Sequence, residues 1–288
     1  MKPVLVYLLI TPLLLFIASG RSVTPAHAIP AALAVMPAAT TLLRGDDLCI
    51  YRPSVLRFFC DTARDGGDAE FVVAFGVAGD IPLLGDVNGD GRDDPCIYRP
   101  SVLRFFCDTA RDGGDAEFVV AFGVAGDIPL LGDVNGDGRD DPCVYRPSVL
   151  RFFCDTARDG GDAEFVVAFG VAGDIPLLGD VNGDGRDDPC VYRPSVLRFF
   201  CDTARDGGDA EFVVAFGVAG DIPLLGDVNG DGRDDPCVYR PSVLRFFCDT
   251  ARDGGDAEFV VAFGITDDIP LIGNVGRPFG VALPLVIR

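Results

Sequence analysis

From Cys49 onward the chain is one phrase written five times at a spacing of 47 residues: Cys49, Cys96, Cys143, Cys190 and Cys237 each open C-[IV]-Y-R-P-S-V-L-R-F-F-C-D-T-A-R-D-G-G-D-A-E-F-V-V-A-F-G. In the first four copies the phrase continues V-A-G-D-I-P-L-L-G-D-V-N-G-D-G-R-D-D-P. A period this strict restricts the chain to architectures that stack or circle one supersecondary unit. The copies are so alike that their agreement says nothing about which residues matter, so each is read on its own chemistry.

Within one period, four short strands are predicted: Ile81–Val87, Cys96–Arg99, Leu103–Cys107 and Glu117–Gly123. β-Branched and aromatic residues fill them, Gly, Pro and Asp punctuate them, and no stretch keeps a helical period. The fold class is all-β. Four antiparallel strands in 40–50 residues are about one propeller blade, and radial repetition leaves only short edges. A β-solenoid is the alternative, although solenoid coils are shorter and poorer in hairpins. The first copy lacks a leading strand, and the last is followed by Ile269–Val275, a first strand without its acidic loop. If that strand completes the blade begun at Cys49, five blades close into a ring, with Ala31–Leu43 and Val281–Ile287 as closing or capping strands.

Residues 1–28 open with Lys2, run apolar from Val4 to Ala18 and end Ala26-His27-Ala28, which reads as a secretory signal peptide, an uncleaved N-terminal anchor helix being the alternative. Residues 29–48 are then a closure segment, and 49–288 the propeller. The expected location is secreted or at the cell surface, without a membrane span after cleavage. Lys2 and His27 are the only lysine and histidine. The exported protein would therefore have no imidazole zinc site, no Ser-His or Cys-His nucleophile and no Schiff-base lysine. With 44 Asp plus Glu against 24 Lys plus Arg, the net charge is −20. Such a surface repels nucleic acid, whose phosphates need basic partners, and suits cations.

The acid is concentrated in G-D-V-N-G-D-G-R-D-D-P-C, residues 85–96, repeated at 132–143, 179–190 and 226–237. Asp86, Asn88, Asp90 and Asp94 fall at loop positions 1, 3, 5 and 9, with the Arg92 carbonyl at position 7. The later copies place Asp133, Asn135, Asp137, Arg139 and Asp141; Asp180, Asn182, Asp184, Arg186 and Asp188; and Asp227, Asn229, Asp231, Arg233 and Asp235. Alternating oxygens on a tight glycine-containing loop suit a hard cation. The first six residues mimic an EF-hand loop, but position 12 is Ile97 rather than Glu and the flanks are strands. About four Ca2+ per chain are expected, with extracellular-module affinities of roughly 0.1–1 mM. The competing reading is a metal-free Asp/Asn/Gly turn. A second cation site among Asp108, Asp112, Asp115 and Glu117 competes with a solvated turn.

The run G-D-I-P-L-L-G-D-V-N-G-D-G-R-D-D-P-C-V-Y-R-P-S resembles the bacterial FG-GAP (VCBS-type) repeat, which is similar to the calcium-binding blades of integrin α-subunit propellers. Phe75-Gly76, Phe122-Gly123, Phe169-Gly170, Phe216-Gly217 and Phe263-Gly264 supply the Phe-Gly pair. The resemblance implies propeller blades with Ca2+ between first and second strands, and ligand recognition or adhesion more often than catalysis. Integrin propellers have seven blades where this chain supplies five, and Ser-Val-Leu-Arg stands where bacterial relatives commonly turn through Asn-Gly.

Ten cysteines form five pairs eleven residues apart: Cys49 and Cys60, Cys96 and Cys107, Cys143 and Cys154, Cys190 and Cys201, Cys237 and Cys248. Each pair brackets a hairpin centred between Ser101 and Val102 or their equivalents, which would set the sulfurs opposite each other. Five intra-blade disulfides are the economical pairing in an exported protein; bonds between blades, or free buried thiols, are the alternatives.

Near-identical blades offer no asymmetric pair of carboxylates, so the chain is read as a non-enzyme rather than a carboxylate-based hydrolase. One functional reading is an extracellular module binding a glycan or protein. Its candidate contacts are Tyr51, Arg52, Tyr98, Arg99, Tyr145, Arg146, Tyr192, Arg193, Tyr239 and Arg240. Alternatively, each tyrosine packs between blades and each arginine pairs with an aspartate. The other functional reading is a Ca2+-stiffened structural element with no small ligand.

Overall fold

A computed structural model describes residues 45–276. The signal-like segment and both proposed capping strands lie outside these residues.

Blade 1 contains β1 (Asp47–Arg52), β2 (Arg57–Asp61) and β3 (Phe71–Ala74). Blade 2 follows as β4 (Ile81–Gly85), β5 (Asp94–Arg99), β6 (Arg104–Cys107) and β7 (Phe118–Ala121). Blade 3 has β8 (Ile128–Gly132), β9 (Asp141–Arg146), β10 (Arg151–Cys154) and β11 (Phe165–Ala168). Blade 4 has β12 (Ile175–Gly179), β13 (Asp188–Arg193), β14 (Arg198–Cys201) and β15 (Phe212–Ala215). Blade 5 has β16 (Ile222–Gly226), β17 (Asp235–Arg240), β18 (Arg245–Cys248) and β19 (Phe259–Ala262). The last strand, β20 (Ile269–Gly273), returns to pair antiparallel with β1, giving blade 1 the order β20-β1-β2-β3. The first strands neighbour one another in the cycle β4-β8-β12-β16-β20-β4. Five four-stranded blades thus close into a single ring, as the ends of the repeat array predict.

All four strand limits differ from expectation: the strand predicted as Glu117–Gly123 is trimmed to Phe118–Ala121, with Gly123 at φ +91°, and the other three differ for local reasons. Leu103 sits at φ +54°, outside strand geometry, so β6 starts one residue later. Asp86 turns into the acidic loop, so β4 stops at Gly85. Asp94 pairs with Gly85, so β5 begins two residues before Cys96.

Each second strand is buried on both faces because a neighbouring blade covers each side. Tyr98, Phe105, Val120 and Phe122 of blade 2 pack with Val144 of blade 3, and the same arrangement recurs round the ring. Fully burying one such side chain contributes about 1.5–3 kcal/mol, which glues blade to blade rather than strand to strand. A second layer holds the cystines: Val87, Cys96 and Cys107 meet Leu131 of the next blade. All five disulfides join the expected partners: Cys49–Cys60, Cys96–Cys107, Cys143–Cys154, Cys190–Cys201 and Cys237–Cys248. Each spans directly paired residues of the second and third strands.

Candidate functional site

Five equivalent grooves of about 620–630 Å³ run between adjacent blades. Between blades 2 and 3, Val102 and Val124 form one wall, Val166 and the Gly160-Gly161 backbone the other, and Arg146 lies over Phe153. Arg146 Nε and Nη2 donate to the two oxygens of Asp127 at 2.9 and 2.8 Å. That carboxylate is 1% exposed and the guanidinium 28%. The Asp127 pairing raises the Arg146 pKa further, so the cation is permanent. Its Nη1 has no partner among the described residues, leaving a donor edge over an aromatic ring. Arg52–Asp268, Arg99–Asp80, Arg193–Asp174 and Arg240–Asp221 repeat the pairing in the other grooves.

The five tyrosines are not groove contacts, which corrects their reading as ligand-facing residues. Tyr51, Tyr98, Tyr145, Tyr192 and Tyr239 are buried at the blade interfaces. Their hydroxyls donate to the carbonyls of Phe75, Phe122, Phe169, Phe216 and Phe263. Because the second strand is covered on both sides, neither face of it reaches solvent. Of each Tyr-Arg pair only the arginine, at the strand end, is presented.

The acidic loops connect first to second strands, away from the Arg146-type residues. Asp86 accepts N–H bonds from Gly89 and Asp90 on Oδ1 and from Gly91 on Oδ2. Gly89 and Gly91 both adopt φ +79°, which closes the loop around that carboxylate. Asp133, Asp180 and Asp227 do the same in their loops. Asn88, Asn135 and Asn182 direct amide N–H groups to Asp94, Asp141 and Asp188. Among the described residues the Asn229 amide reaches Asp231 and Asp235 Oδ1 alone, and Asp235 Oδ2 is buried without a hydrogen-bond partner.

A cation does occupy each loop, and it is an arginine. Arg111, from the hairpin between β6 and β7, donates to the Arg92 carbonyl at 3.0 Å, to Asp94 at 2.9 Å and to Asp90. Arg158 joins Asp137, the Arg139 carbonyl and Asp141; Arg205 joins Asp184, the Arg186 carbonyl and Asp188; Arg252 joins Asp231, the Arg233 carbonyl and Asp235. Burial holds Asp94, Asp141, Asp188 and Asp235 up at about 7 despite these arginines. The hydrogen bonds from Arg158 and Arg205 depress Asp137 and Asp184.

The donor chemistry of the loop therefore fits a cation, with the guanidinium as its stand-in at positions 5, 7 and 9. Among the described residues, no three Asp, Glu, His or Cys side chains converge on one metal-binding point. The Asp108, Asp112, Asp115 and Glu117 group does not converge either: Asp108 accepts from Asp112 and Gly113, and Glu117 from Thr109 and Ala110.

Sequence reasoning missed the loop arginines and a ring formed by Asp46, Asp93, Asp140, Asp187 and Asp234. Each of these aspartates grips the backbone of the adjacent blade at Asp227, Asn274, Asp86, Asp133 or Asp180, respectively. The only available signal was the constant 54-residue offset of Asp140, Asp187 and Asp234 from the loops they serve; Asp46 and Asp93 make the same contact across 181 residues, where the ring closes.

The architecture defines a closed five-bladed β-propeller with five equivalent inter-blade grooves. No protein-family model matches the chain, and no curated protein matches it. Among solved structures it is similar to a protein of unknown function from Bacteroides caccae, at TM-score 0.44 and 10% identity, covering 76% of this chain and 73% of that one. An Agrocybe aegerita lectin that recognises non-reducing terminal N-acetylglucosamine matches at TM-score 0.40 and 16% identity, over 76% of this chain and 63% of the lectin. The V. cholerae biofilm matrix protein Bap1 matches at TM-score 0.31 and 16% identity, over 70% of this chain and 29% of Bap1.

Proposed function

We propose that this chain is a secreted, non-enzymatic binding module of the FG-GAP/VCBS type, whose five grooves engage a glycan or protein ligand simultaneously. The carrying observation is the fivefold recurrence of one open groove with an arginine laid on a phenylalanine and one donor edge free. An apolar wall beside fixed N–H donors suits the hydroxyl and carbonyl oxygens of a sugar or peptide face. Weak single sites on one rigid ring gain from avidity. Five disulfides favour an oxidising, extracellular setting, and no described helix is long and apolar enough to cross a membrane.

Calcium belongs to this reading as a stabiliser of the loops. Asp86, Asn88, Asp90, the Arg92 carbonyl and Asp94, with their equivalents, would hold it. When bound it supplies positive charge that offsets the mutual repulsion of the loop carboxylates.

The test is a glycan and protein array probed with the wild type and with a variant carrying Val→Lys at Val72, Val119, Val166, Val213 and Val260, exposed groove residues whose replacement leaves the core intact. Specific binding lost in the folded variant supports the proposal. Binding that persists in the variant, or silence from the wild type, favours the structural-element reading, which also has support in the full pairing of each groove carboxylate by its arginine.

A further inference from the structure

We infer that Arg111, Arg158, Arg205 and Arg252 are tethered cations that a divalent metal must displace to enter the acidic loops, and that their release loosens the hairpin forming one wall of the adjacent groove. The inference deepens the calcium reading above and rests on it.

Three observations carry it. The first is positional: Arg111 bonds to Asp90, the Arg92 carbonyl and Asp94, the same oxygens that a metal would take at positions 5, 7 and 9. The guanidinium and the metal therefore exclude each other. The second is charge. One guanidinium meets Asp90 and Asp94 in a loop that also holds Asp86, and in the fourth loop the fully buried Asp235 retains an oxygen with no hydrogen-bond partner among the described residues. The arginine leaves the loop under-compensated, so a doubly charged ion has a reason to replace it.

The third is an internal comparison with blade 1, where the sequence before β1 lacks the acidic loop. The equivalent Arg64 there makes no carboxylate bond among the described residues and rests instead on the Val228 and Asp46 carbonyls. The arginine is thus a general feature of the hairpin, and the carboxylates make it a counter-cation in four blades of the five.

The consequence for the groove follows from chain connectivity. Arg111 is followed by Asp112 and then by Gly113, Gly114, Asp115 and Ala116, which line the groove between blades 1 and 2. Gly113 lies against the backbone of the adjacent blade, where an added Cβ would come within 2.9 Å of the Ala74 carbonyl. Arg111 sits at φ +58° and Arg64, without loop carboxylates, at φ +56°, so the left-handed turn belongs to the hairpin itself and the guanidinium adds its contact with the acidic loop. Freeing its guanidinium removes the far anchor of this turn.

The experiment compares the oxidised wild type with R111Q/R158Q/R205Q/R252Q by calorimetric titration of CaCl2. The expected result is one Ca2+ per acidic loop, at least about tenfold tighter in the variant, as loss of a competing charge-assisted contact dictates. Equal or weaker binding by the variant, with the wild type binding, overturns the competition and leaves the calcium reading standing. No binding by either protein overturns both. Should the quadruple variant not fold, hydrogen exchange of the wild type with and without CaCl2 decides the matter. Faster exchange over residues 108–117, 155–164, 202–211 and 249–258 supports displacement, and unchanged exchange under saturating Ca2+ overturns it.

Discussion

Asp140 grips Asp86 of the adjacent blade from both sides of the peptide: its Oδ2 accepts the Asp86 N–H at 3.0 Å, and its own N–H donates to the Asp86 carbonyl at 2.8 Å. The same reciprocal clasp links Asp187 to Asp133, Asp234 to Asp180, Asp46 to Asp227 and Asp93 to Asn274.

These clasps make the ring sensitive to pH. Burial first, and then neighbouring carboxylates, raises Asp46, Asp140 and Asp187 well above the ordinary carboxylate range of 3.8, and Asp93 and Asp234 to about 7. A group whose folded pKa is raised stabilises the fold below its unfolded pKa, and the contribution is lost as pH climbs through the folded value. The melting temperature should fall from roughly pH 4, where the unfolded carboxyls ionise, to roughly pH 7, the folded value of Asp93 and Asp234, and continue to fall above it as Asp46, Asp140 and Asp187 ionise. Asn at positions 93, 140, 187 and 234 should flatten that slope; a wild-type melting temperature that is constant or rises over this range refutes the assignment.

The clasp requires glycine at the end of each first strand. A Cβ at Gly132 would lie 2.4 Å from Asp187 Oδ2 and 3.1 Å from Leu178 Cβ. Gly132→Ala should destabilise the domain by about 1–3 kcal/mol, the range for overpacking. Urea unfolding would show it as a lower midpoint, and an unchanged midpoint would mean that the clasp is not tight.

The groove arginines protect buried charge. Arg146→Ala leaves Asp127, 1% exposed, without its partner and should cost about 3 kcal/mol or more. Adding Asp127→Asn, which can still accept the Val124 N–H, should restore most of that loss. If the double variant unfolds as easily as the single one, the lost stability comes from packing on Phe153 instead.

The cystines constrain an unfolded chain otherwise free to mispair its copies. Replacing Cys143 and Cys154 with alanine should lower stability by about 2–3 kcal/mol, the size expected for a short closed loop. Equal denaturation midpoints for this variant and the wild type would show that the strand ladder alone sets the hairpin.

The repeat, the four strands per blade, the returning strand and the cysteine pairing were all legible because each depends on order along the chain. The hairpin centre followed from symmetry, and Arg99 pairs with Arg104 as that centre demands. What escaped depends on contacts between segments. Nothing local announces that Arg111 reaches back 21 residues to Asp90, or that Asp140 serves a different blade. The tyrosines carried two readings because aromatic residues beside arginine suit a binding face as well as a core. Only the covering of the second strand from both sides decides between them.

The pairing of β20 with β1 has a consequence for how the molecule counts its own parts. The closing strand reads Ile-Pro-Leu-Ile-Gly where every other first strand reads Ile-Pro-Leu-Leu-Gly, so β1 has almost no chemical means of telling its proper partner from the rest. Four of those strands are already tethered beside their own second strands, and the fifth is left over. Selection is therefore by elimination along one chain, and a neighbouring molecule with its own unmatched strand meets the same criterion. At high concentration during refolding, exchange of β20 between chains competes with closure, and dilution restores the single ring.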